Sequence, residues 1–347
     1  MAGGGRRTIA WAQGVKEATV NPRQRLNTTV RLLLSPLLMA AASVVTFAVA
    51  VPAEAATLSE VTGFATNPGN LRMFRYVPAA LPSNAPVVVA LHGCTQSAAA
   101  YDDEPGWTAL AERWGFVLVL PQQQSANNVN GCFNWFSADD ISRGLGEAMS
   151  IKQMVDRTKA DHSVDARRVY VTGLSAGGAM TAAMLASYPD VFAAGAVVAG
   201  LPYMCATMLS AAYGCMSPGV DRTPAHWGGL VRGASSYSGP WPKVSIWHGS
   251  WDTTVVPKNA TELMEQWTNV NGADQTADSS DTVKGYQHRS YQDGSGRTVV
   301  ETYLISGMAH GTPIDPGTAD DACGTAAPYI LDVNNLFELL HRPLLGP

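Results

Sequence analysis

Gly173-Leu174-Ser175-Ala176-Gly177 is a Gly-x-Ser-x-Gly pentapeptide. In that pattern a serine on a sharp strand-to-helix turn is lifted above a sheet edge as a nucleophile. The bare pattern is weak evidence, and its setting strengthens it. The β-branched and aromatic run Val169-Tyr170-Val171-Thr172 leads into it, and the small-residue stretch Gly178 to Tyr188 leaves it with helical character. The flanking glycines let backbone pass where a Cβ would clash. Ser175 then lies at a helix N-terminus, whose partial positive charge favours a developing oxyanion.

A serine hydroxyl needs a base, itself oriented by a carboxylate. On an α/β sheet with this elbow the partners follow in the order serine, acid, histidine. Asp252 comes after the apolar run VSIWH, and His310 after VETYLIS. Both therefore fall at carboxyl ends of predicted strands, the edge where such sheets collect their ligands. Of the seven histidines, His92 and His248 also follow strands, but His92 precedes Ser175 and His248 precedes Asp252. His162, His226, His288 and His341 read as ordinary polar positions. The tetrahedral oxyanion needs preorganised donors: the backbone N–H of Ala176, and that of Cys94 or Thr95 in His92-Gly93-Cys94-Thr95. Cys94 as the nucleophile is a weaker alternative. Trp135 and Trp251 are candidate substrate contacts, with Phe136, Trp227 and Trp241 behind them; core packing accounts for any one of these equally well.

Short apolar runs alternate with helical patterns along the rest of the chain. Strands are expected at Pro86 to Leu91, Phe116 to Leu120 (stopped by Pro121), 169–172, 192–199, 244–248 and 299–305. Helices are expected over 108–113, 146–157, 178–188, 261–268 and 333–341. Buried strands separated by helices indicate a mostly parallel sheet covered on both faces, an α/β fold. Residues 121–143 and 200–243 break the rhythm and are expected to rim the site as long loops.

Of 347 residues, 46% are hydrophobic and 15% charged, with net charge −5. That composition suits a globular enzyme and gives no basic footprint for nucleic acid. A charged stretch over residues 1–31, an uncharged apolar run from Leu32 to Ala53 and the small-x-small site Ala53-Glu54-Ala55 together predict a secretory signal peptide over 1–55. An uncleaved membrane anchor is the alternative, since about 20 apolar residues can span a bilayer. The expectation is thus an extracellular enzyme over 56–347, without stable membrane association after cleavage. The five cysteines contain no Cys-x-x-Cys pair, which disfavours a metal site. In an oxidising compartment two disulfides and one leftover thiol are the simplest count. Cys205 with Cys215, and Cys94 with Cys132, are the candidate pairs, left open by sequence alone.

The motifs LHGCTQ, NGCFNWF, GLSAGGAM, IWHGSWDTTVVP and GMAHGTP occur in this order. Over roughly residues 70 to 340 the chain resembles the catalytic domain of extracellular poly(3-hydroxybutyrate) depolymerases, itself similar to secreted feruloyl and acetylxylan esterases. The resemblance implies an α/β-hydrolase fold, a triad of Ser175, Asp252 and His310, no metal and no organic cofactor. The implied substrate is a polyester, its oligomers or a small ester; the rival is a plant cell-wall ester of ferulate or acetate. Polymer-degrading members commonly append a substrate-binding domain, and none is expected here after the catalytic domain. A serine peptidase on the same fold would be expected to carry a gating domain, and none is expected here; a binding protein with an idle site is countered by the ordered triad.

Overall fold

The computed structural model describes residues 56–103 and 105–313. The signal peptide expected over 1–55, the helix expected over 333–341 and Cys323 lie outside the described residues. Within them the strands are β1 (Ser59–Glu60), β2 (Arg72–Tyr76), β3 (Ala85–Leu91), β4 (Val117–Gln122) and β5 (Val164–Leu174). They continue as β6 (Ala194–Val198), β7 (Lys243–Gly249), β8 (Ser279–Val283), β9 (Tyr286–Gln292) and β10 (Thr298–Ile305). All join one sheet in the order β1-β2-β4-β3-β5-β6-β7-β10-β9-β8. The six strands from β4 to β10 in that order run parallel, and antiparallel pairs finish both edges.

Alternation along the central strands divides the core. Val87, Val89 and Leu91 of β3 pack on one face with α4 (Gly146–Asp161), α5 (Ala176–Ser187) and α8 (Lys258–Asn271). Val88 and Ala90 face the other way, toward α1 (Ala98–Asp103) and α2 (Trp107–Trp114). With helices on both faces every β3 side chain is buried, which is why its sequence reads as a continuous apolar run rather than an alternating one.

Three local expectations are corrected. Strand β4 continues through Pro121 to Gln122, opposite Met73 and Arg72 of β2. The missing N–H of Pro121 is tolerated because pairing with β3 has already ended at Val119. The segment 121–143 contains the short helix α3 (Ala138–Ile141), and 200–243 contains α6 (Leu209–Met216) and α7 (Pro224–Arg232). The edge strands β1, β2, β8 and β9 carry little apolar alternation, and β1 and most of β8 are exposed. Among the described residues no helix is long and apolar enough to cross a membrane.

Glycine fixes how the sheet and α5 meet. A Cβ on Gly177 would lie 2.1 Å from Leu91 O and 2.6 Å from His92 O. On Gly214, in α6, it would meet nothing within 4 Å. Gly177→Ala is therefore expected to lower folding stability by about 3 kcal/mol or more through forced backbone displacement. Gly214→Ala should leave stability unchanged or raise it by up to about 1 kcal/mol. Urea unfolding of the two variants side by side measures the contrast.

Candidate active site

Ser175 sits between β5 and α5 with φ 57 and ψ −115, a backbone conformation that costs a non-glycine residue about 1–3 kcal/mol. Its N–H donates to Val198 O of the neighbouring strand at 2.9 Å, which holds the turn against the sheet. Ala176 follows as the first residue of α5, so its N–H is one of those a helix start leaves without an intrahelical acceptor.

The loops carrying Asp252 and His310 meet although 58 residues separate these side chains. Strands β7 and β10 lie side by side, Gly249 opposite Ile305. Beyond their ends Ser250 N donates to Ile305 O and Trp251 N to Met308 O, both at 2.9 Å, while Gly307 N donates to Ser250 Oγ at 2.9 Å. A Cβ on Gly249 would stand 2.2 Å from Met308 O, so only glycine lets the loops lie this close.

That lacing puts His310 Nδ1 2.7 Å from Asp252 Oδ2. A carboxylate only accepts, so Nδ1 carries the hydrogen and Nε2 is left as an acceptor, the form a general base needs. Asp252 Oδ1 accepts from the N–H groups of Thr254 and Val255, each at 2.9 Å. His248, set aside in the sequence because it precedes Asp252, is fully buried with its Nε2 3.4 Å from Asp252 Oδ2 and 2.7 Å from Val255 O. Both neighbours are acceptors, so His248 presents Nε2–H. Burial raises the Asp252 carboxyl, but hydrogen bonds from His248 and His310, attraction to His310 and the Val255 N–H outweigh it and hold the group well below the usual carboxylate range.

Ser175 and His310 both line one cavity of about 500 Å³; no hydrogen bond joins them in this conformation. Leu209, Ala212, Tyr213 and Met216 form another wall. Their i, i+3, i+4, i+7 spacing turns one stripe of α6 inward. Cys94, Thr95, Asn128, Asn130, Cys132, Trp135 and Phe136 also line it. Disulfides join Cys94 to Cys132 and Cys205 to Cys215.

Two sequence expectations change here. The Thr95 N–H donates to Asn130 O at 2.8 Å with the residue at φ 64. It is therefore committed to the loop, and Cys94 N–H remains the candidate second oxyanion donor beside Ala176. Trp251 does not line the cavity; it is 71% exposed. Trp135 does line it, whereas Trp227 is buried with Nε1 donating to Glu262 at 2.7 Å.

A buried carboxylate that the sequence did not single out lies behind the cavity wall. Glu147, in the first turn of α4, is 1% exposed. Its Oε2 accepts from Asn134 N and its Oε1 from Asn134 Nδ2, both at 2.8 Å, and Oε1 also accepts from Gln123 Nε2. Burial and the nearby charge of Asp140 push its carboxyl up to about 8, against the pull of these neutral donors.

Residues 72–285 match the family described as esterase PHB depolymerase. The poly(3-hydroxyalkanoate) depolymerase C of Paucimonas lemoignei is 56% identical over 324 residues, 93% of this chain and 75% of that protein. Feruloyl esterase B of Thermothelomyces thermophilus is 37% identical over 270 residues, 75% of this chain and 90% of that one. The solved acetyl xylan esterase from Aspergillus awamori superposes with a TM-score of 0.69 at 32% identity, covering 74% of this chain and 95% of its own.

The raised Glu147 carboxyl makes stability depend on pH. From the ordinary value of 4.5 up to about 8, the folded chain keeps a proton that the unfolded chain releases, so this group's contribution falls as pH rises through that window. The stability penalty of Glu147→Gln is accordingly expected to be largest near the bottom of the window and to shrink above it. Urea midpoints of both proteins across that range give the sign.

Proposed function

Because the chain belongs to the esterase PHB depolymerase family and is a carboxylic ester hydrolase of α/β-hydrolase fold, we propose that Ser175, His310 and Asp252 are its catalytic triad and that its substrates are hydroxyalkanoate polyesters or their oligomers. The hydrogen bond between His310 Nδ1 and Asp252 carries the triad reading, with Ser175 on the wall of the same cavity. His310 Nε2 takes the hydroxyl proton as Ser175 Oγ attacks the ester carbonyl, and Asp252 stabilises the imidazolium. The oxyanion is held by the N–H groups of Ala176 and Cys94. Collapse breaks the carbon–oxygen bond to the alcohol, which leaves with the proton from His310. Water then attacks the acyl-enzyme, again losing its proton to His310, and the free acid and Ser175 hydroxyl are regenerated.

The polyester reading rests on α6. Leu209 and Tyr213 line the cavity yet remain 55% and 65% exposed, and the adjoining Met208 is 60% exposed. An apolar wall that continues out onto the surface suits a long apolar ester chain better than a hydrated sugar ester. A phenolic ester is the second reading, favoured by Trp135 and Phe136, which meet edge to face at 5.5 Å in the cavity wall.

The same proposal includes export. Residues 1–55 act as a signal peptide and 56–347 as the catalytic domain, and two disulfides suit an oxidising compartment. The mass of the protein in the medium of an expressing culture is expected to correspond to a chain starting at Ala56. A cell-bound chain of full mass would instead favour an anchor.

Hydrolysis of 3-hydroxybutyrate oligomers, amorphous polyhydroxybutyrate and ethyl ferulate should favour the first two. Preference for ferulate with hydroxybutyrates inert would overturn the substrate and leave the triad standing. Ser175→Ala should abolish turnover of all three, and Asp252→Asn should lower it by about 10⁴-fold.

A further inference from the structure

The Cys94 N–H and the Gly93 C=O belong to one planar trans peptide, so whatever holds the oxygen also aims the hydrogen, in the opposite direction. His92 holds that oxygen. It is 1% exposed, its Nε2 accepts from Gln123 N at 3.1 Å, and its Nδ1 lies 2.7 Å from Gly93 O. Because Nε2 accepts, Nδ1 must be the protonated nitrogen and donates to Gly93 O. Burial lowers the pKa of His92, against the Gly93 hydrogen bond, consistent with that neutral tautomer.

Gln123 is the next link. Its backbone faces His92, and its side-chain amide donates both to Cys132 O at 3.1 Å and to Glu147 Oε1. Cys132 is bonded covalently to Cys94. Gln123 thus reaches the Gly93–Cys94 peptide from both sides, through His92 and through the disulfide. Glu147 holds Gln123, and it also takes two hydrogen bonds from Asn134, next to the cavity residues Trp135 and Phe136.

We infer that Glu147 is a positioning residue for the oxyanion hole, fixing the Gly93–Cys94 peptide through Gln123, His92 and the Cys94–Cys132 bridge. This inference rests on the esterase site proposed above. Glu147 does not line the cavity and acts only through its neighbours. Both its oxygens are needed as acceptors, one for Asn134 N and the other for two amide nitrogens. A glutamine there would set an NH₂ against at least one of these donors, leaving it unpaired in a buried place.

The test is Glu147→Gln, assayed on a short soluble ester with rates divided by the serine content titrated with a fluorophosphonate. Misplacing a transition-state donor without touching substrate should lower kcat about tenfold to a hundredfold while KM stays within about threefold. Affinity for a phenylboronic acid, which forms a tetrahedral adduct on the serine, should fall in parallel with kcat. Asn134→Ala removes one of the three donors from a partly exposed side chain. It should show the same split at smaller size, and it carries the test if Glu147→Gln does not fold. An unchanged kcat per titrated serine with only a lowered melting temperature would reduce Glu147 to a structural residue and overturn the inference. So would a raised KM at constant kcat. Ser175→Ala, run alongside, separates the two levels: residual turnover there would sink the proposed site itself, whatever Glu147 does.

Discussion

The site depends on backbone lying directly on backbone at the carboxyl edge of the sheet. Gly177 brings the start of α5 against the carbonyls of Leu91 and His92, and Gly249 brings the acid loop against the carbonyls of Met308 and Ala309. The first contact sets the Ser175 turn beside the strand that ends in the oxyanion loop. The second sets Asp252 beside His310. Neither spacing survives a single added Cβ, so these glycines are steric requirements of the geometry. The strained Ser175 backbone is held between β5 and α5 by its hydrogen bond to Val198 O.

Two buried carboxylates on this frame are driven in opposite directions for reasons that can be named. Asp252 faces two imidazoles and two backbone N–H groups, which together outweigh the cost of burial and keep it ionised. Glu147 has only neutral donors and the charge of Asp140 nearby, so burial wins and its carboxyl is raised. The difference suits the two positions. In the proposed mechanism an anion at Asp252 answers an imidazolium that forms and disappears during turnover. At Glu147 no cation is created, and what matters is the direction of lone pairs, which either protonation state supplies.

The central sheet was legible in the sequence because strands buried on both faces read as unbroken apolar runs, as β3 does. The candidate triad was legible because its members follow such runs in chain order. His248 and Glu147 were not, since their significance comes from tertiary neighbours: Asp252 in one case, Gln123 and Asn134 in the other. Nothing local to Thr95 shows that its N–H is taken by Asn130, 35 residues away. Trp251 was drawn in by adjacency to Asp252, yet neighbours in a turn can point to different sides, and its side chain stays largely in solvent. The edge strands are not legible because an exposed strand needs no apolar period, and α6 is not because its stripe is split between cavity and surface.

The disulfides follow from the same division between sheet and loops. Strand pairing and buried apolar side chains hold the central sheet, and neither disulfide lies in a strand. Cys94–Cys132 joins the loop after β3 to the segment carrying Trp135, and Cys205–Cys215 ties α6 to the chain before it. The first closes the longer segment, 38 residues against 10, so it removes more freedom from the unfolded chain. A loop that aims a hydrogen-bond donor at a transient charge must keep its position without help from the substrate. In the arrangement proposed here a covalent bond on one side and the buried Glu147 carboxyl on the other provide that constraint.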